Sequence, residues 1–420
     1  MPVIDSLAAL EILDSRGRPT VQVTCRLVGG ATGRASVPSG ASRGKAEALE
    51  LRDGDPHRFG GLGCRKAAQN VEGEIAAATM GQELSGQAEL DKMLAELDGT
   101  GDKSRLGANA LLAVSLAFAR ACSVLVSVPL YQHFAGMVDT DLKYLPRLTI
   151  NLFSGGKHAG SQVAIQDVLL VPQSASTIKE SLEVTYDVVQ SAIDLVRTKY
   201  RERPLKADEG GLAPAFPNES AMIEDAVAAI EAAGYKPGKD VALAIDLAAS
   251  HFYTGGAYDL GGKRLSSMEM IETIGGWVAD YPIISIEDGL AEEDWLNWPA
   301  LRGRLPDGVL TLGDDLLCTQ TQRIQRAVAT AAADALLLKV NQVGTVSEAA
   351  KALGLARSDG WRVVVSARSG ETEDDWLADL ATGWQGDFIK VGSVQQSERL
   401  AKYNRLIAIE ADTGLPLRPL

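Results

Sequence analysis

Three acids and two lysines in the second half of the chain have the chemistry of a metal-assisted deprotonation. Asp246, Glu287 and Asp314 each follow a short apolar run, and Lys339 and Lys390 follow two later runs of the same kind. Carboxylates without a His or Cys partner favour Mg²⁺ or a related hard cation over zinc. A desolvated lysine beside such a cation is expected to shift toward its neutral form and act as a base. The set predicts abstraction of the weakly acidic proton next to a carboxylate group.

A second candidate group lies in VVVSARSGETEDDW, residues 363–376, where an apolar run opens into an arginine, a serine and several carboxylates. Arg368 and Ser369 stand on a turn that ends in glycine, and both are suitable donors to a phosphoryl or second carboxyl group. A structural ion pair is the alternative use of Arg368. The residue before it, Ala367, is small and apolar, which raises the question of what it makes room for.

The apolar runs before these residues alternate with helical segments, a pattern typical of parallel β/α units. In a β/α barrel the carboxyl ends of all strands open on one face, so these polar residues are predicted to converge although they are distant in sequence. The alternative role of an acid after any one strand is to cap the next helix. Six consecutive strand ends of the same kind favour the shared site. The runs are VALAIDL, IISIEDG, VLTLGDD, ALLLKVN, RVVVSARS and FIKVGS.

The first third of the chain has a different pattern. Residues 11–40 alternate apolar and polar positions between Gly and Pro turns, which predicts two or three antiparallel strands. Helical patterns follow, from KAEALELRD (45–53) to near Leu130. The pattern of apolar residues is interrupted around residues 139–148, where Asp, Lys and Pro occur. We therefore predict an α+β domain over 1–138 and a barrel domain over 139–420.

Composition excludes several classes of protein. The 420 residues are 46% hydrophobic and 23% charged, with a net charge of −14, which disfavours nucleic acid or an anionic membrane as a partner. An anionic substrate must therefore meet a local positive site. The N-terminus lacks the basic region of a secretory signal, and the four scattered cysteines have no CxxC spacing. We expect a cytoplasmic protein whose most apolar stretch, 108–131, forms a buried helix pair.

Ten stretches across the chain resemble the enolases, which dehydrate 2-phosphoglycerate in glycolysis. The resemblance implies an enolase-like α/β fold with an N-terminal α+β cap domain over a modified (β/α)8 TIM-type barrel. It also implies one or two Mg²⁺ per active site, a small anionic phosphorus-containing substrate, and assembly as homodimers or rings of dimers. The stretches are ILDSRGRPTVQV, VPSGAS, EALELRDGD, LGANALLAVSLAFARA, ADEGGLAP, SIEDGLAEEDW, GDDLLCT, LLLKVNQVGT, SARSGETED and SERLAKYNRL.

The resemblance assigns a role to each matching residue. Lys339 matches the base, Glu209 the general acid, and His158 the histidine of a catalytic loop. The positions that match metal ligands are Asp246, Glu287, Asp314 and, in the loop SGAS, Ser39. The positions that match or adjoin substrate contacts are Lys390, Arg368, Ser369, Ser39, Gln166 and Arg43.

Five positions depart from the family pattern. Ala367 replaces a histidine, Asp167 an active-site glutamate, and Ser154 an asparagine, while the closing loop gains Arg43 and Lys45. Smaller side chains and an added guanidinium would give room and positive charge for a larger, more anionic group than phosphate. These departures resemble the carboxyphosphonoenolpyruvate synthase branch, which serves phosphinate antibiotic biosynthesis.

The sequence leaves three functions open. The first is dehydration of a carboxyphosphono analogue of 2-phosphoglycerate, with Ala367 setting specificity. The second is ordinary glycolytic enolase activity. The third is a noncatalytic scaffold with this fold, because a fold alone does not prove a function. Dinucleotide binding is excluded, since FGGLGCRK has Lys66 where the third glycine of the motif belongs.

Overall fold

The N-terminal sheet consists of three antiparallel strands, as the alternating pattern predicts. The computed structural model describes all 420 residues. The strands are β1 (Ile4–Leu13), β2 (Pro19–Leu27) and β3 (Thr32–Ser36), in the order β1-β2-β3. The β1–β2 turn is stabilised by Asp14, whose Oδ1 accepts the backbone N–H groups of Arg16 at 2.8 Å and Arg18 at 2.9 Å.

The predicted helix over KAEALELRD is wrong, because residues 45–53 form turns and irregular backbone. Long-range bonds replace helical ones here: the N–H of Ala48 donates to the carbonyl of Gln342 at 2.8 Å, and the N–H of Leu51 donates to Asn109 Oδ1 at 3.0 Å. Helices begin only beyond this segment. They are α1 (Arg65–Asn70), α2 (Ala76–Thr79), α3 (Gln87–Asp98), α4 (Ala108–Leu125) and α5 (Leu130–Met137), with a π-helical turn at Val71–Ile75 between α1 and α2.

Helix α4 is the most apolar element of the chain. It is long and apolar enough to cross a membrane by length and composition, but 83% of its residues are buried inside the protein. It packs on β2 and β3, and the contact is closest at Gly33, where an added Cβ would lie 2.2 Å from the carbonyl oxygen of Ala117. The predicted burial is confirmed up to residue 123, but Val124, Leu125 and Val126 are exposed. The predicted helix pair is a single helix, and the stretch ends with the first two residues of α5. The compartment of the protein stays a prediction.

Residues 138–146 lead from α5 into a closed barrel of eight strands. The strands of the second domain are β4 (Arg147–Ser154), β5 (Asp167–Pro172), β6 (Val241–Asp246), β7 (Tyr253–Thr254), β8 (Ala257–Leu260), β9 (Lys263–Leu265), β10 (Ile283–Glu287), β11 (Leu310–Gly313), β12 (Ala335–Leu338), β13 (Arg362–Ser366) and β14 (Phe388–Lys390). The barrel order is β10-β11-β12-β13-β14-β4-β5-β6, and β7, β8 and β9 form a separate antiparallel sheet.

The six predicted runs are β6 and β10 to β14, and their pairings are parallel as expected. The sequence pattern predicted no strand at β5, which runs antiparallel to both β4 and β6. Alternate strand residues fill the barrel interior, so the barrel is a packed core and not a channel. These interior residues are Leu169, Val171, Ala242, Ala244, Leu312, Ala335, Leu337, Val364 and Phe388.

Eight helices follow or connect the barrel strands. Several begin at a polar cap, as at α8, where Ser266 and Glu269 bond each other's backbone N–H groups in a capping box. The helices are α6 (Ile178–Leu195), α7 (Glu219–Ala232), α8 (Ser267–Asp280), α9 (Trp298–Arg304), α10 (Thr321–Thr330), α11 (Val346–Ser358), α12 (Trp376–Gly383) and α13 (Ser397–Thr413).

Candidate active site

The carboxyl ends of β6, β10 and β14 bring Lys390 between two acids. Its Nζ lies 2.9 Å from Asp246 Oδ2 and 2.7 Å from Glu287 Oε2, and all three side chains are buried. Burial alone raises the pKa of Asp246, but the Lys390 ammonium outweighs it and lowers that pKa to about 2. Burial, together with the charge of Asp246, raises the pKa of Glu287 well above its usual range. The convergence predicted from three distant strand ends is present.

The ends of β11 and β12 form a second pair. Lys339 Nζ is hydrogen-bonded to Asp314 Oδ2, and Gln342 Nε2 donates to Asp314 Oδ1 at 2.9 Å. Burial lowers the pKa of Lys339, but the nearby carboxylates, Asp314 first, together raise that pKa above its usual value. Burial also lowers the pKa of Lys390, but the carboxylates around it, Asp246 and Glu287 first, together raise that pKa well above its usual value. The predicted shift of both lysines toward neutrality depends on a cation beside them and stays a prediction; here each ammonium lies against a carboxylate.

On the other side of the mouth, Ser154, Asp167 and His158 form a chain of hydrogen bonds, and Glu209 lies next to its end. Ser154 Oγ donates to Asp167 Oδ1 at 2.6 Å, and His158 Nδ1 lies 3.2 Å from Asp167 Oδ2. The second ring nitrogen of His158 lies 3.8 Å from Glu209 Oε1. Burial lowers the pKa of His158, but the charges of Asp167 and Glu209 outweigh it and raise that pKa to about 9. Because Ser154 and Asp167 bond directly, the two departures from the family pattern form one matched pair.

Arg368, just beyond β13, is buried and held by protein acceptors. Its Nη1 donates to Glu47 Oε2 and Asn341 Oδ1, both at 3.0 Å, and its Nη2 donates to Glu47 Oε1 at 3.2 Å. Burial lowers the pKa of Arg368, but the surrounding carboxylates, Glu47 first, together raise that pKa above its usual value. Arg368 therefore forms the structural ion pair that was the alternative to substrate binding, although it also lines the central cavity.

The structure corrects the placement of two loop residues. The hydroxyl of Ser39 donates to Asp14 Oδ2 and accepts from Arg16 Nη2, both at 2.9 Å, and Ser39 does not line the cavity. Ser42, three residues later, does line it. Arg43 is exposed and donates to the carbonyl of Glu47 at 3.3 Å instead of entering the cavity.

One polar cavity, of about 30 Å³, connects these groups. Burial and the charge of Asp314 raise the pKa of the lining residue Asp315 to about 8. The sequence interpretation missed Asp315, Ser42 and Glu47, although Asp315 directly follows a predicted ligand. Asp167 and Glu287 lie behind the wall. The lining residues are Ala41, Ser42, Glu47, His158, Gln166, Glu209, Asp246, Asp314, Asp315, Lys339, Ser366, Ala367, Arg368, Ser369 and Lys390.

Comparison with known protein families agrees with this architecture. The enolase N-terminal domain matches residues 4–134, and the enolase C-terminal TIM barrel domain matches residues 142–416. The chain belongs to the enolase family. As an enolase-family protein it is a lyase of the hydro-lyase type, and the carboxyl-end face of its barrel is where enzymes of this architecture carry their active site.

Enolases typically bind Mg²⁺, and the donor set of this enolase-family site fits such an ion. All predicted ligands that face the mouth are oxygen donors. Glu287 Oε1 and Gln166 Oε1 are buried without a hydrogen-bond partner, so they have lone pairs to offer. Lys390 already places a positive charge between Asp246 and Glu287. Asp314 lies in a further acidic group, with one oxygen each of Asp288, Asp314 and Asp315 within 4.8 Å of one another.

Proposed function

We propose that the protein catalyses Mg²⁺-dependent dehydration of a 2-phosphoglycerate-like substrate to an enolpyruvate product. The observation that carries this proposal is the presence of Lys339 and Glu209 in the wall of one cavity. Lys339 takes the proton next to the substrate carboxylate, and Glu209 serves the departing hydroxyl. Asp246, Glu287 and Asp314 would hold Mg²⁺, which would supply positive charge for the carboxylate oxygens of the substrate. The same acids are the partners of Lys339 and Lys390.

The leaving hydroxyl needs a proton donor, and the His158–Glu209 pair supports that role. Asp167 binds Nδ1 of His158 and so turns the other ring nitrogen toward Glu209. Burial raises the pKa of Glu209, but the cationic groups around it, His158 first, together lower that pKa. A proton shared by His158 and Glu209 lies where it can be transferred to the departing oxygen.

We propose that the substrate is a carboxyphosphono analogue, carboxyphosphonoglycerate, which is converted to carboxyphosphonoenolpyruvate in phosphinate natural-product biosynthesis. Ala367 supports this, because its methyl group forms the wall between Ser366 and Arg368, where the extra carboxyl at phosphorus would lie. Neither Arg43 nor Asp167 adds support, since neither lines the cavity. Lys390, Gln166 and Ser369 remain proposed substrate contacts.

Ordinary enolase activity is the second candidate. The cavity of about 30 Å³ must widen to admit either substrate, and the smaller one requires less widening. The test is to compare kcat/KM for 2-phosphoglycerate and for the carboxyphosphono analogue with the purified protein in Mg²⁺. Faster turnover of 2-phosphoglycerate would exclude the modified substrate.

The variant Ala367→His tests the specificity position directly. The larger side chain narrows the cavity and adds a hydrogen-bond donor. The ratio of kcat/KM values should therefore move toward 2-phosphoglycerate by about tenfold or more. Ala367→Leu is the matched control, because it fills the same space without a donor. An unchanged ratio in both variants would show that this position does not set specificity.

We also propose that the protein assembles as a homodimer or a ring of dimers. Two exposed leucines on β1, Leu10 and Leu13, support an interface that includes the N-terminal sheet. Sedimentation velocity of the purified protein measures the assembly, and a monomer at micromolar concentration would contradict it.

A further inference from the structure

Glu47 is a buried acid that the proposed reaction does not use. It belongs to segment 39–47, which follows β3 and crosses from the N-terminal domain onto the barrel mouth. The segment is anchored at one end by paired backbone bonds between Ser39 and Gly370, at 2.8 and 3.0 Å. Both carboxylate oxygens of Glu47 accept from the guanidinium of Arg368, in the parallel arrangement that suits an arginine fork.

The remaining donors of Arg368 are also committed to the protein. Nη1 donates to Asn341 Oδ1 at 3.0 Å, and Nη2 donates to the carbonyl of Ser42 at 3.1 Å. Of the five N–H donors of a guanidinium, only that of Nε is left for a substrate. Three of these four bonds end on residues of segment 39–47. The orientation of the only arginine in the cavity wall therefore depends on where this segment lies.

A second set of hydrogen bonds connects Glu47 to the proposed metal ligand Asp314. Gln342 Nε2 donates to Glu47 Oε1 at 3.3 Å and to Asp314 Oδ1 at 2.9 Å. Asp314 in turn holds Lys339 through its other oxygen. One amide thus links a residue of the N-terminal domain to a proposed metal ligand and to the proposed base.

The segment approaches the barrel too closely for an ordinary side chain at its centre. A Cβ at Gly44 would lie 2.5 Å from Cys318 Sγ and 3.0 Å from Asp315 Oδ1. The backbone N–H of Gly44 donates to Glu47 Oε1 at 3.1 Å, so the carboxylate also shapes the turn that carries it. The other ion pair of the segment, Lys45 with Glu293, is exposed and contributes little to docking.

We propose that Glu47 is a positioning residue: its carboxylate docks segment 39–47 on the barrel and thereby orients Arg368 and Asp314 for the dehydration. The inference rests on the proposed hydro-lyase reaction but not on the choice between the two substrates. A buried charge pair that only stabilised the fold would affect unfolding and leave the kinetic constants of the folded enzyme unchanged.

The kinetic test compares Glu47→Gln with Glu293→Gln, which makes the same change at the exposed pair. In Glu47→Gln, kcat should fall about 10- to 100-fold while KM changes less than about threefold, because misplaced groups act mainly on the transition state. Glu293→Gln should stay within about twofold of the wild type. Glu47→Asp keeps the charge and should recover part of kcat. A kcat of Glu47→Gln equal to the wild type would overturn the proposal, as would a loss confined to KM.

A second readout needs no turnover and therefore separates this proposal from the proposed function. Arg43 and Lys45 are trypsin sites inside the segment. Limited trypsin digestion without substrate, followed by mass spectrometry, should cut after them about tenfold faster in Glu47→Gln than in the wild type, because cleavage follows the population of the released segment. Glu293→Gln should change this rate less than about threefold. Equal rates in the two variants would overturn the proposal, and Glu47→Asp replaces Glu47→Gln if the latter does not fold.

Discussion

At the scale of single residues, the site is a set of neutralised pairs. Lys390 is bound by Asp246 and Glu287, Lys339 by Asp314, and these contacts raise the pKa of both lysines. A lysine in such a pair is a cation, so it becomes a base only after its carboxylate is drawn away. Whether Lys339 can accept a proton therefore depends on which other group or ion binds Asp314.

The first prediction concerns that base. Lys339→Ala removes the proposed proton acceptor, so kcat for the preferred substrate should fall about 10²- to 10⁴-fold. Formation of the enol product, followed by its ultraviolet absorbance, measures this, and a thermal melt checks folding. Lys92→Ala, which removes an exposed ammonium paired with Glu96, is the control. Activity within tenfold of the wild type would mean that another group takes the proton.

The second prediction concerns His158 and pH. Its pKa is raised from 6.5 to about 9 in the folded protein, so the stabilising contribution is complete below pH 6.5 and is lost as the pH rises through about 9. The free energy of unfolding should therefore fall less between pH 6 and pH 9.5 in His158→Gln than in the wild type. Urea titrations at the two pH values measure it, with the exposed His57→Gln as control. Parallel losses in all three proteins would contradict the shift.

At the scale of elements, close packing around α4 holds the N-terminal sheet in place. Gly33 on β3 leaves no room between the sheet and the helix backbone, since an added Cβ would meet Ala117 and Ala121 at 2.2 and 2.3 Å. The helix backbone is rigid and cannot yield as the end of a flexible side chain would. The position of β3 matters for the site because segment 39–47 begins just beyond it.

The third prediction follows from this contact. Gly33→Ala should lower the free energy of unfolding by about 1–3 kcal/mol, the usual range for overpacking a core. Gly73→Ala is the matched control, since nothing lies within 4 Å of its added Cβ, and helix propensity there favours alanine by up to about 1 kcal/mol. Urea denaturation compares the two variants. Equal effects would show that β3 moves away from α4 at little cost.

At the scale of the whole molecule, a chain of net charge −14 gathers several buried carboxylates at one end of its barrel. Cation binding relieves the repulsion among them, and an ion that binds only the folded state stabilises it. The stability of the folded barrel is therefore expected to depend on the ion that enolases typically bind.

The fourth prediction is that Mg²⁺ raises the thermal midpoint in a concentration-dependent way. At a free Mg²⁺ concentration about 100-fold above Kd, the gain in unfolding free energy should be about 2.7 kcal/mol. Asp246→Asn should weaken the dependence on Mg²⁺, whereas Asp194→Asn, at an exposed site, should leave it unchanged. Differential scanning calorimetry with and without a chelator measures both. A midpoint insensitive to Mg²⁺ in the wild type would argue against the site.

The amino-acid sequence by itself determined which face of the barrel carries the chemistry. Asp246, Glu287 and Lys390 end β6, β10 and β14, and Asp314 and Lys339 follow β11 and β12 directly. Parallel strands leave their carboxyl ends on one rim, so local patterning is enough to place such residues. The three strands of the N-terminal sheet were predictable for the same reason, because alternation and turn residues act over short distances.

Only the tertiary structure decided how the loops meet that rim. It placed Ser42 and not Ser39 at the cavity, turned Arg43 to solvent, and seated Glu47 on Arg368, 321 residues away in sequence. It also replaced the predicted helix over 45–53 with irregular backbone bonded to the barrel and to α4. Such contacts join segments distant in the chain, and their geometry depends on packing that no local pattern of residues records.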